Sequence, residues 1–260
     1  FDSNKGSFVS LTPTRGGSFS LSFLSIKTSF LKDDNTNSSP VFEKFVSNRN
    51  IIKDRLNTLN TKGEYGINSQ DVLIPAFISA YSGSNAYKFS LKPFLNIPIP
   101  NWRLDFSGLG KIKLLSEIFS SITISHAYQS IYSIGEFSNS LLYFEDLDFN
   151  NSLMNYPLAT QQSENGLIPF FVINQIRITE RFSPLIGINV RTKNNLNARF
   201  DYKRDRNVML NLSNSQVTEM RNSDFSVDFG YTKDKLRLPF KVRGNTIILD
   251  NEIEFRLNFI

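Results

Sequence analysis

One histidine, one glycine-rich segment and one acidic cluster are the residue groups of this chain whose types suggest chemistry. His126 is the only histidine, so a Ser–His–Asp triad would have to use it. Residues 121–134 alternate like a strand and place His126 on the same face as Ile124 and Tyr128. No nucleophile-elbow sequence is present. We therefore predict that His126 is a structural or interfacial residue.

The other two groups do not fit a ligand site. The sequence SGLGK at 107–111 faintly resembles a phosphate loop. However, Asp105 stands where that loop needs glycine, and Ile112 replaces the Ser or Thr that would bind magnesium. The acidic cluster at 145–148 does not match an EF-hand and is typical of a solvated loop. Paired carboxylates for glycoside hydrolysis stay open, since their partnership is spatial, but nothing positive supports them. We predict no catalytic residue, no cofactor and no metal, and therefore no enzyme.

Composition limits the class of protein. The chain has 260 residues, no cysteine, 40% hydrophobic residues and a net charge of +5. Without cysteine there is neither a disulfide framework nor a thiolate metal site. The basic excess is spread along the chain, so we expect no nucleic-acid partner. No run approaches the roughly 20 apolar residues of a transmembrane helix.

The strongest pattern is a period of two in the last third of the chain. Successive side chains of a strand point to opposite faces, so each such stretch has one apolar and one polar face. Antiparallel neighbours with this pattern form either a soluble sandwich or the wall of a membrane barrel. The stretches are 186–191, 196–203, 208–212, 225–232 and 252–259.

Length and aromatic placement favour the barrel wall. Strands at 121–134 and 207–218 fit the roughly 9–11 residues that cross an outer membrane. Aromatic residues lie toward segment ends on the apolar face, as in an aromatic girdle. The residues predicted to face lipid are Leu196, Phe200, Tyr202, Leu210, Leu212, Phe225, Val227, Phe229, Tyr231, Phe255 and Leu257. Those predicted to face a watery lumen are Arg199, Asp201, Asp228, Glu254 and Arg256.

These patterns predict a mainly β fold class, an antiparallel transmembrane β-barrel wall with a small helical insertion. Helices are predicted over 40–58, beginning at the N-cap Ser39-Pro40, and over 69–81. Strand is predicted over 7–31 with a β-bulge after Phe23. The regions are barrel strands over 1–39, the helical insertion over 40–88, an irregular proline-rich connection over 89–120, and antiparallel barrel strands over 121–260 with a long loop at 136–165. Polar turns are predicted at 193–195, 203–206 and 221–224.

Several segments resemble the SprA/Sov family, the giant outer-membrane translocon of the type IX secretion system in Bacteroidetes, which is also tied to gliding motility. They follow the order of the family and cover roughly residues 15–260. The segments are SQDVLIPAFISAY at 69–81, PNWR at 100–103, SITISHAY at 121–128, YSIG at 132–135, SPLIGI at 183–188, KNNL at 193–196, LNLSNSQ at 210–216 and RLPF at 237–240.

The resemblance implies a function. It predicts the carboxy-terminal part of a protein-conducting channel in the cell outer membrane that exports folded cargo proteins. In that case the barrel wall formed by this chain is an arc of a very large barrel. The implied partners are the lipid bilayer, the rest of the translocon barrel (on the same polypeptide or a separate chain), a small outer-membrane shuttle barrel and a periplasmic plug protein. Family members are many times longer, so we expect a fragment or a split-gene subunit. The insertion at 40–83 is expected to pack inside the lumen or to cap the barrel.

Two alternatives remain open from the sequence. One is a secreted carbohydrate-binding β-sandwich domain, in which the apolar faces would be buried against a second sheet. The other is a piece of a TonB-dependent transporter, which would need a plug domain that the pattern does not show. The exposure of Phe225, Val227, Phe229 and Tyr231 discriminates between wall and sandwich.

Overall fold

The chain is mainly β in the computed structural model. Its main feature is one open antiparallel sheet of eight strands, accompanied in the described residues by two two-stranded sheets and a few helices. The fold class is thereby confirmed at this coarser level. The structure describes residues 15–34, 38–60, 63–140, 162–163, 166–233, 236–242, 245–249 and 252–260.

The sheet is a meander of long strands. Its order is β1-β3-β7-β8-β9-β12, and β2 and β6 also pair with β3. The path is not closed, because its first and last strands do not pair. The strands are β1 Gly16–Ser22, β2 Trp102–Phe106, β3 Phe119–Asn139, β4 Gln162–Ser163, β5 Gly166–Leu167, β6 Phe171–Ile173, β7 Gln175–Thr192, β8 Leu196–Asn211, β9 Gln216–Lys233, β10 Leu236–Val242, β11 Asn245–Leu249 and β12 Ile253–Phe259.

The α-helices are α1 Pro40–Leu59, α2 Gln70–Tyr81 and α3 Lys113–Ser116. The predicted start of α1 is confirmed: Ser39 is its N-cap, the Ser39 Oγ accepts from the Phe42 backbone N–H at 3.4 Å, and Pro40 occupies the first helical position. The second predicted helix is confirmed as α2. Among the described residues, none of the helices has the length and apolar character needed to cross a membrane.

The chain divides into two compact units. Unit 1 comprises Phe1–Pro100, Ser130–Thr179 and Asn207–Glu219. Unit 2 comprises Asn101–Gln129, Glu180–Arg206 and Met220–Ile260. The long strands β3, β7, β8 and β9 therefore contribute residues to both units.

Unit 1 is built by α1 and α2 packing on one face of its strands. The ring of Phe45 on α1 meets that of Phe77 on α2 edge-on, with centroids 6.1 Å apart. The Gln70 side chain ties α2 to β6, since its Nε2 donates to the Phe171 carbonyl at 2.7 Å and its Oε1 accepts from the Ile173 N–H at 2.8 Å. The buried strand residues of this core include Tyr132, Ile134, Ile176, Ile178, Val208 and Leu210.

The proline-rich segment before residue 100 is irregular but firmly held. The Arg55 Nη1 donates to the carbonyls of Ala86 at 2.5 Å and Phe89 at 2.9 Å. Partial burial lowers the pKa of this guanidinium from its ordinary value. The Tyr132 hydroxyl donates to the Pro93 carbonyl at 2.9 Å. Side chains thus satisfy carbonyls that a proline-rich backbone cannot pair in a ladder.

The prediction of strand over 7–31 is wrong beyond β1. The strand ends at Ser22, and a 3₁₀ helix follows at Ile26–Thr28. The Thr28 hydroxyl donates to the Ser25 carbonyl within this turn and to the Tyr81 carbonyl at the end of α2. These side-chain bonds satisfy both carbonyls without a strand ladder. The register shift lies between Gly17 and Phe19, not after Phe23. The part of this prediction at 7–14 lies outside the described residues.

Two predicted turns are wrong and one is confirmed. Residues 203–206 lie inside β8 and residues 221–224 inside β9. The chain instead turns at 212–215, which splits the predicted strand 207–218 and leaves Ser215 at a φ of 56°. At 193–195 the turn is present, with Asn195 at a φ of 60°, a conformation that Asn tolerates.

The predicted loop at 136–165 begins too early. Strand β3 continues to Asn139 and pairs there with β1 and β6, so residues 136–139 are strand. Most of the remaining loop, including the acidic cluster at 145–148, lies outside the described residues. Within the irregular connection at 89–120 the structure has β2, a 3₁₀ helix at Gly108–Lys111 and α3.

The helices lie on the apolar face of the strands in unit 1. Leu210, predicted to face lipid, is fully buried there and packs in the core with α1 and α2, so that assignment is wrong for this residue. The reason is that α1 and α2 cover the apolar side chains of these strands, and periodicity alone does not distinguish burial under a helix from contact with lipid. The expected place of the insertion at 40–83, inside a lumen or capping a barrel, stays a prediction.

We predict that the α1 contact dominates the stability of unit 1. Replacing Ile52, whose exposed fraction is 0%, by alanine should lower the free energy of unfolding by about 2–5 kcal/mol, because a cavity remains. Leu59→Ala on the same helix is the matched control, since Leu59 is 60% exposed. Its effect should stay within about 0.5 kcal/mol in denaturant titrations. Equal losses in both variants would contradict this account of the core.

Candidate functional surfaces

The pairing of β9 with β12 defines two opposite surfaces in unit 2. Phe229 lies opposite Leu257, and Tyr231 lies opposite Phe255. Directly opposed residues share a face of the sheet, so these four side chains project together. The alternate residues, such as Asp228 opposite Asn258, project to the other side.

The first surface is a row of exposed apolar side chains, here called the apolar surface. The rings of Phe200 and Phe225 meet edge-on with centroids 4.9 Å apart, which brings β8 onto the same face. Its large members on β9 and β12 are between 40% and 63% exposed. The apolar surface comprises Leu196, Phe200, Tyr202, Phe225, Val227, Phe229, Tyr231, Phe255, Leu257 and Phe259.

These positions correspond to the residues that the sequence predicted to face lipid. Phe200, Tyr202 and Val227 are half-buried by their neighbours on the strands. Leu212 is also half-buried but packs against the unit 1 core, as Leu210 does. Phe259 belongs to the row although the sequence prediction omitted it, and its alternation with Asn258 was the available signal. Contact with lipid stays a prediction for all of them.

The second surface is a polar groove of about 540 Å³ that crosses five strands. Most of its lining lies on the opposite face, because Asp228, Glu254 and Asn258 alternate with the residues of the apolar surface. Phe229 and Leu257 also contribute to the lining. Four of the five residues predicted to face a lumen line it. Its polar lining is Ser121, Asn189, Arg191, Asn197, Arg199, Asp228, Glu254, Arg256 and Asn258.

Charges on the polar face are paired within short distances. The Arg256 Nε lies 2.8 Å from the Glu254 Oε1, and the Arg191 Nε donates to the Asn197 Oδ1 at 3.0 Å. The Asn258 amide donates to the Asp228 carboxylate. Exposed pairs of this kind contribute little stability, because solvent screens them. The pairing leaves a polar face with little net charge.

Asp201 is the exception among the residues predicted to face a lumen. It is only 5% exposed and accepts from the Arg199 Nε at 2.6 Å. Its carboxylate lies beside Gly187, which has no side chain to fill that space. Asp201 is therefore a covered residue on the polar side and does not contribute open charge to the groove.

His126 contacts backbone and aromatic rings. Its Nδ1 lies 2.7 Å from the Leu185 carbonyl oxygen, and its ring centroid is 6.2 Å from that of Phe182. These are the contacts of a histidine that orients a strand, although its role stays a prediction. Among the described residues, no group of three or more His, Asp or Glu side chains could hold a metal ion.

A buried polar network in unit 2 was missed from the sequence. The Tyr128 hydroxyl donates to the Glu180 Oε1 at 2.8 Å, and the Arg206 Nη1 lies 4.0 Å from the Glu180 Oε2. Trp102 stacks on Tyr128 with ring centroids 4.4 Å apart. Glu180 and Arg206 are almost fully buried. The sequence predicts a turn at Arg206, because this arginine belongs to a charged run. Its partner Glu180 lies on another strand and leaves no local signal.

No family model matches the chain, and none of the curated proteins matches it.

We predict that Gly187 is required by close packing on the polar face. A Cβ there would lie 2.8 Å from both the Asp201 Oδ1 and the Pro184 Cγ, so Gly187→Ala should cost about 1–3 kcal/mol of unfolding free energy. Gly230→Ala is the matched control, because its added Cβ would have no neighbour closer than 3.8 Å. That control should be neutral or slightly stabilising in denaturant titration. A neutral Gly187→Ala would show that the space is open.

Proposed function

We propose that this chain forms part of the wall of the outer-membrane channel that exports folded cargo proteins in type IX secretion and supports gliding motility. Its long antiparallel strands form an arc of a very large β-barrel. The apolar surface meets the hydrocarbon of the bilayer, and the polar groove faces the water-filled lumen through which cargo passes. No residue of the wall performs chemistry.

The observation that carries this proposal is the exposure of the apolar surface opposite a charged, hydrated face. A soluble protein rarely leaves a contiguous apolar patch of this kind uncovered. In a carbohydrate-binding sandwich, Phe225, Phe229 and Tyr231 would be sealed by a second sheet. Each of these side chains is at least two-fifths exposed in the described structure. Hydrocarbon is the cover that satisfies such a face without a second protein layer.

Strand length and sheet order support the same conclusion. Strands β3, β7, β8 and β9 have 21, 18, 16 and 18 residues, whereas strands of soluble proteins average about 5–6. An outer-membrane crossing takes about 9–11 residues. Strands β7, β8 and β9 are also neighbours in sequence and in the sheet, as in an up-and-down barrel.

The remaining partners follow from the family resemblance. The rest of the barrel continues from this arc, either on the same polypeptide or on a separate chain. A small outer-membrane shuttle barrel collects cargo at a lateral opening, and a plug protein closes the periplasmic side. The localisation is the cell outer membrane, and nucleic acid is not a partner.

Single cysteines test the two faces, because the natural sequence contains none. Phe229→Cys and Leu257→Cys, each spin-labelled and placed in bilayers, should be reached by oxygen, which dissolves in hydrocarbon. Asp228→Cys and Asn258→Cys are the adjacent controls and should be reached by a water-soluble nickel complex. The expected signal alternates from one residue to the next along both strands. Water accessibility at all four positions, or protection at all four from both reagents, would contradict the wall.

We also predict a face-dependent effect of charge in the cell. Phe229→Arg should reduce channel assembly, because a charge on the lipid face destabilises a barrel, by up to about 2–4 kcal/mol according to its depth. Asn258→Arg places the same charge on the polar face beside Asp228 and should be tolerated. The measurements are the amount of protein in the outer-membrane fraction and the amount of secreted cargo, in cells lacking the natural copy. Equal secretion by the two variants would count against the assignment of faces.

A further inference from the structure

The connection between β2 and β3, residues 107–118, exposes three large aliphatic side chains. Ile112, Leu114 and Ile118 are 49%, 74% and 59% exposed. The connection is nevertheless folded: it consists of the 3₁₀ helix Gly108–Lys111 followed by α3. Its end is fixed, since the Ile118 carbonyl accepts from the Lys193 N–H at 3.1 Å. An ordered segment that holds aliphatic side chains outward requires a partner surface.

This exposure continues along neighbouring elements of unit 2. On β2, Leu104 and Phe106 are also exposed, and Phe106 lies opposite Ile124 on β3, which is exposed as well. On the other side, Lys193 leads through the β7–β8 turn to Leu196 of the apolar surface. The connection is therefore continuous with the surface already assigned to hydrocarbon.

Lysines flank the aliphatic residues. Lys111 and Lys113 stand on either side of Ile112, and both are exposed. Neither lies within ion-pairing distance of a carboxylate among the described residues. Glu117 is the one acidic residue of the connection, and it is exposed too. Aliphatic side chains beside unpaired lysines are typical of segments at the boundary of a bilayer, where lysine stems lie along acyl chains and their ammonium groups reach lipid phosphates.

We propose that the β2–β3 connection is a membrane-interface anchor whose partner is the phosphate-bearing headgroup layer of the bilayer. Ile112, Leu114 and Ile118 enter the outermost part of the hydrocarbon, while Lys111 and Lys113 bind headgroup phosphates. The anchor fixes the depth at which the wall sits, because moving it either way would expose aliphatic groups or bury charge. This inference rests on the proposed wall function and adds a lipid-binding element to it.

The test measures depth at Leu114. The full chain carrying Leu114→Cys is labelled with a fluorophore and placed in vesicles that contain anionic phospholipid. Lipids bearing a nitroxide near the headgroup should quench this label more than lipids bearing it near the chain end. Phe229→Cys should show the reverse order. Ser213→Cys, in the exposed turn at 212–215, should respond only to aqueous iodide.

The outcomes separate the anchor from the wall. Quenching of Phe229→Cys by deep nitroxide with no lipid quenching of Leu114→Cys would overturn the anchor and leave the wall intact. Loss of lipid quenching at both positions would overturn both. A Leu114 label shielded from iodide and from all lipid quenchers would indicate a protein partner, and the anchor would again be wrong.

The lysines provide a second readout that does not depend on folding of the connection. Lys111→Gln with Lys113→Gln removes both charges and keeps both side chains polar. With the natural lysines, the shallow nitroxide should quench the Leu114→Cys label more strongly in anionic than in zwitterionic vesicles. The double substitution should abolish this difference. Each lysine near an anionic surface contributes about a fivefold change in partitioning. An unchanged difference between the two vesicle types would contradict an electrostatic contact between these lysines and the anionic headgroups.

Discussion

The surfaces of this chain depend on the alternation that an antiparallel ladder imposes on its side chains. Between β9 and β12 the pairing runs from Ile253 opposite Lys233 to Phe259 opposite Val227 without a break. Successive cross-strand pairs therefore project alternately to the apolar and to the polar side of the sheet. The exposed aromatic row and the charged groove are two consequences of the same backbone geometry.

One apolar phase meets two kinds of surroundings along a single strand. On β8, Val208 and Leu210 are sealed by protein, whereas Phe200 and Tyr202 are only half-buried. The helical insertion supplies the cover in unit 1, and its own apolar stripe is satisfied by the same contact. In unit 2 the described residues provide no equivalent layer over β9 and β12. In the proposed wall, hydrocarbon would cover the apolar side chains of unit 2 as the helices cover those of unit 1. Both contacts remove apolar side chains from water.

Much of the fold could be predicted from local signals. Ser39-Pro40 indicated the start of α1, and strict alternation indicated β12 and the second half of β9. The predictions failed where a residue's environment is determined by a partner distant in the sequence. The charged run at 203–206 indicated a turn, yet Arg206 is buried beside Glu180 on β7. Leu210 looked like its apolar neighbours on β8, but the helices that bury it are distant in sequence. Periodicity shows which face is apolar, but it does not show what covers that face.

The same limit applies to the candidate surfaces. The groove residues were predictable as one set, because they alternate with apolar residues on strands that pair in order. Asp201 shares their phase, but its cover depends on Gly187 and Arg199, which a single strand does not reveal. The β2–β3 connection was missed as a surface, since a short irregular segment has no period to detect.

The buried contact of Tyr128, Glu180 and Arg206 has a consequence for how the sheet is assembled. Its members come from three neighbouring strands, β3, β7 and β8. The hydroxyl on β3 and the guanidinium on β8 both lie beside the carboxylate on β7. A misaligned strand would leave a bare carboxylate or guanidinium inside, at about 3–5 kcal/mol. Apolar residues elsewhere in the sheet tolerate exchange with one another, so they discriminate poorly between alignments. The network therefore favours the native alignment of these three strands over a shifted one.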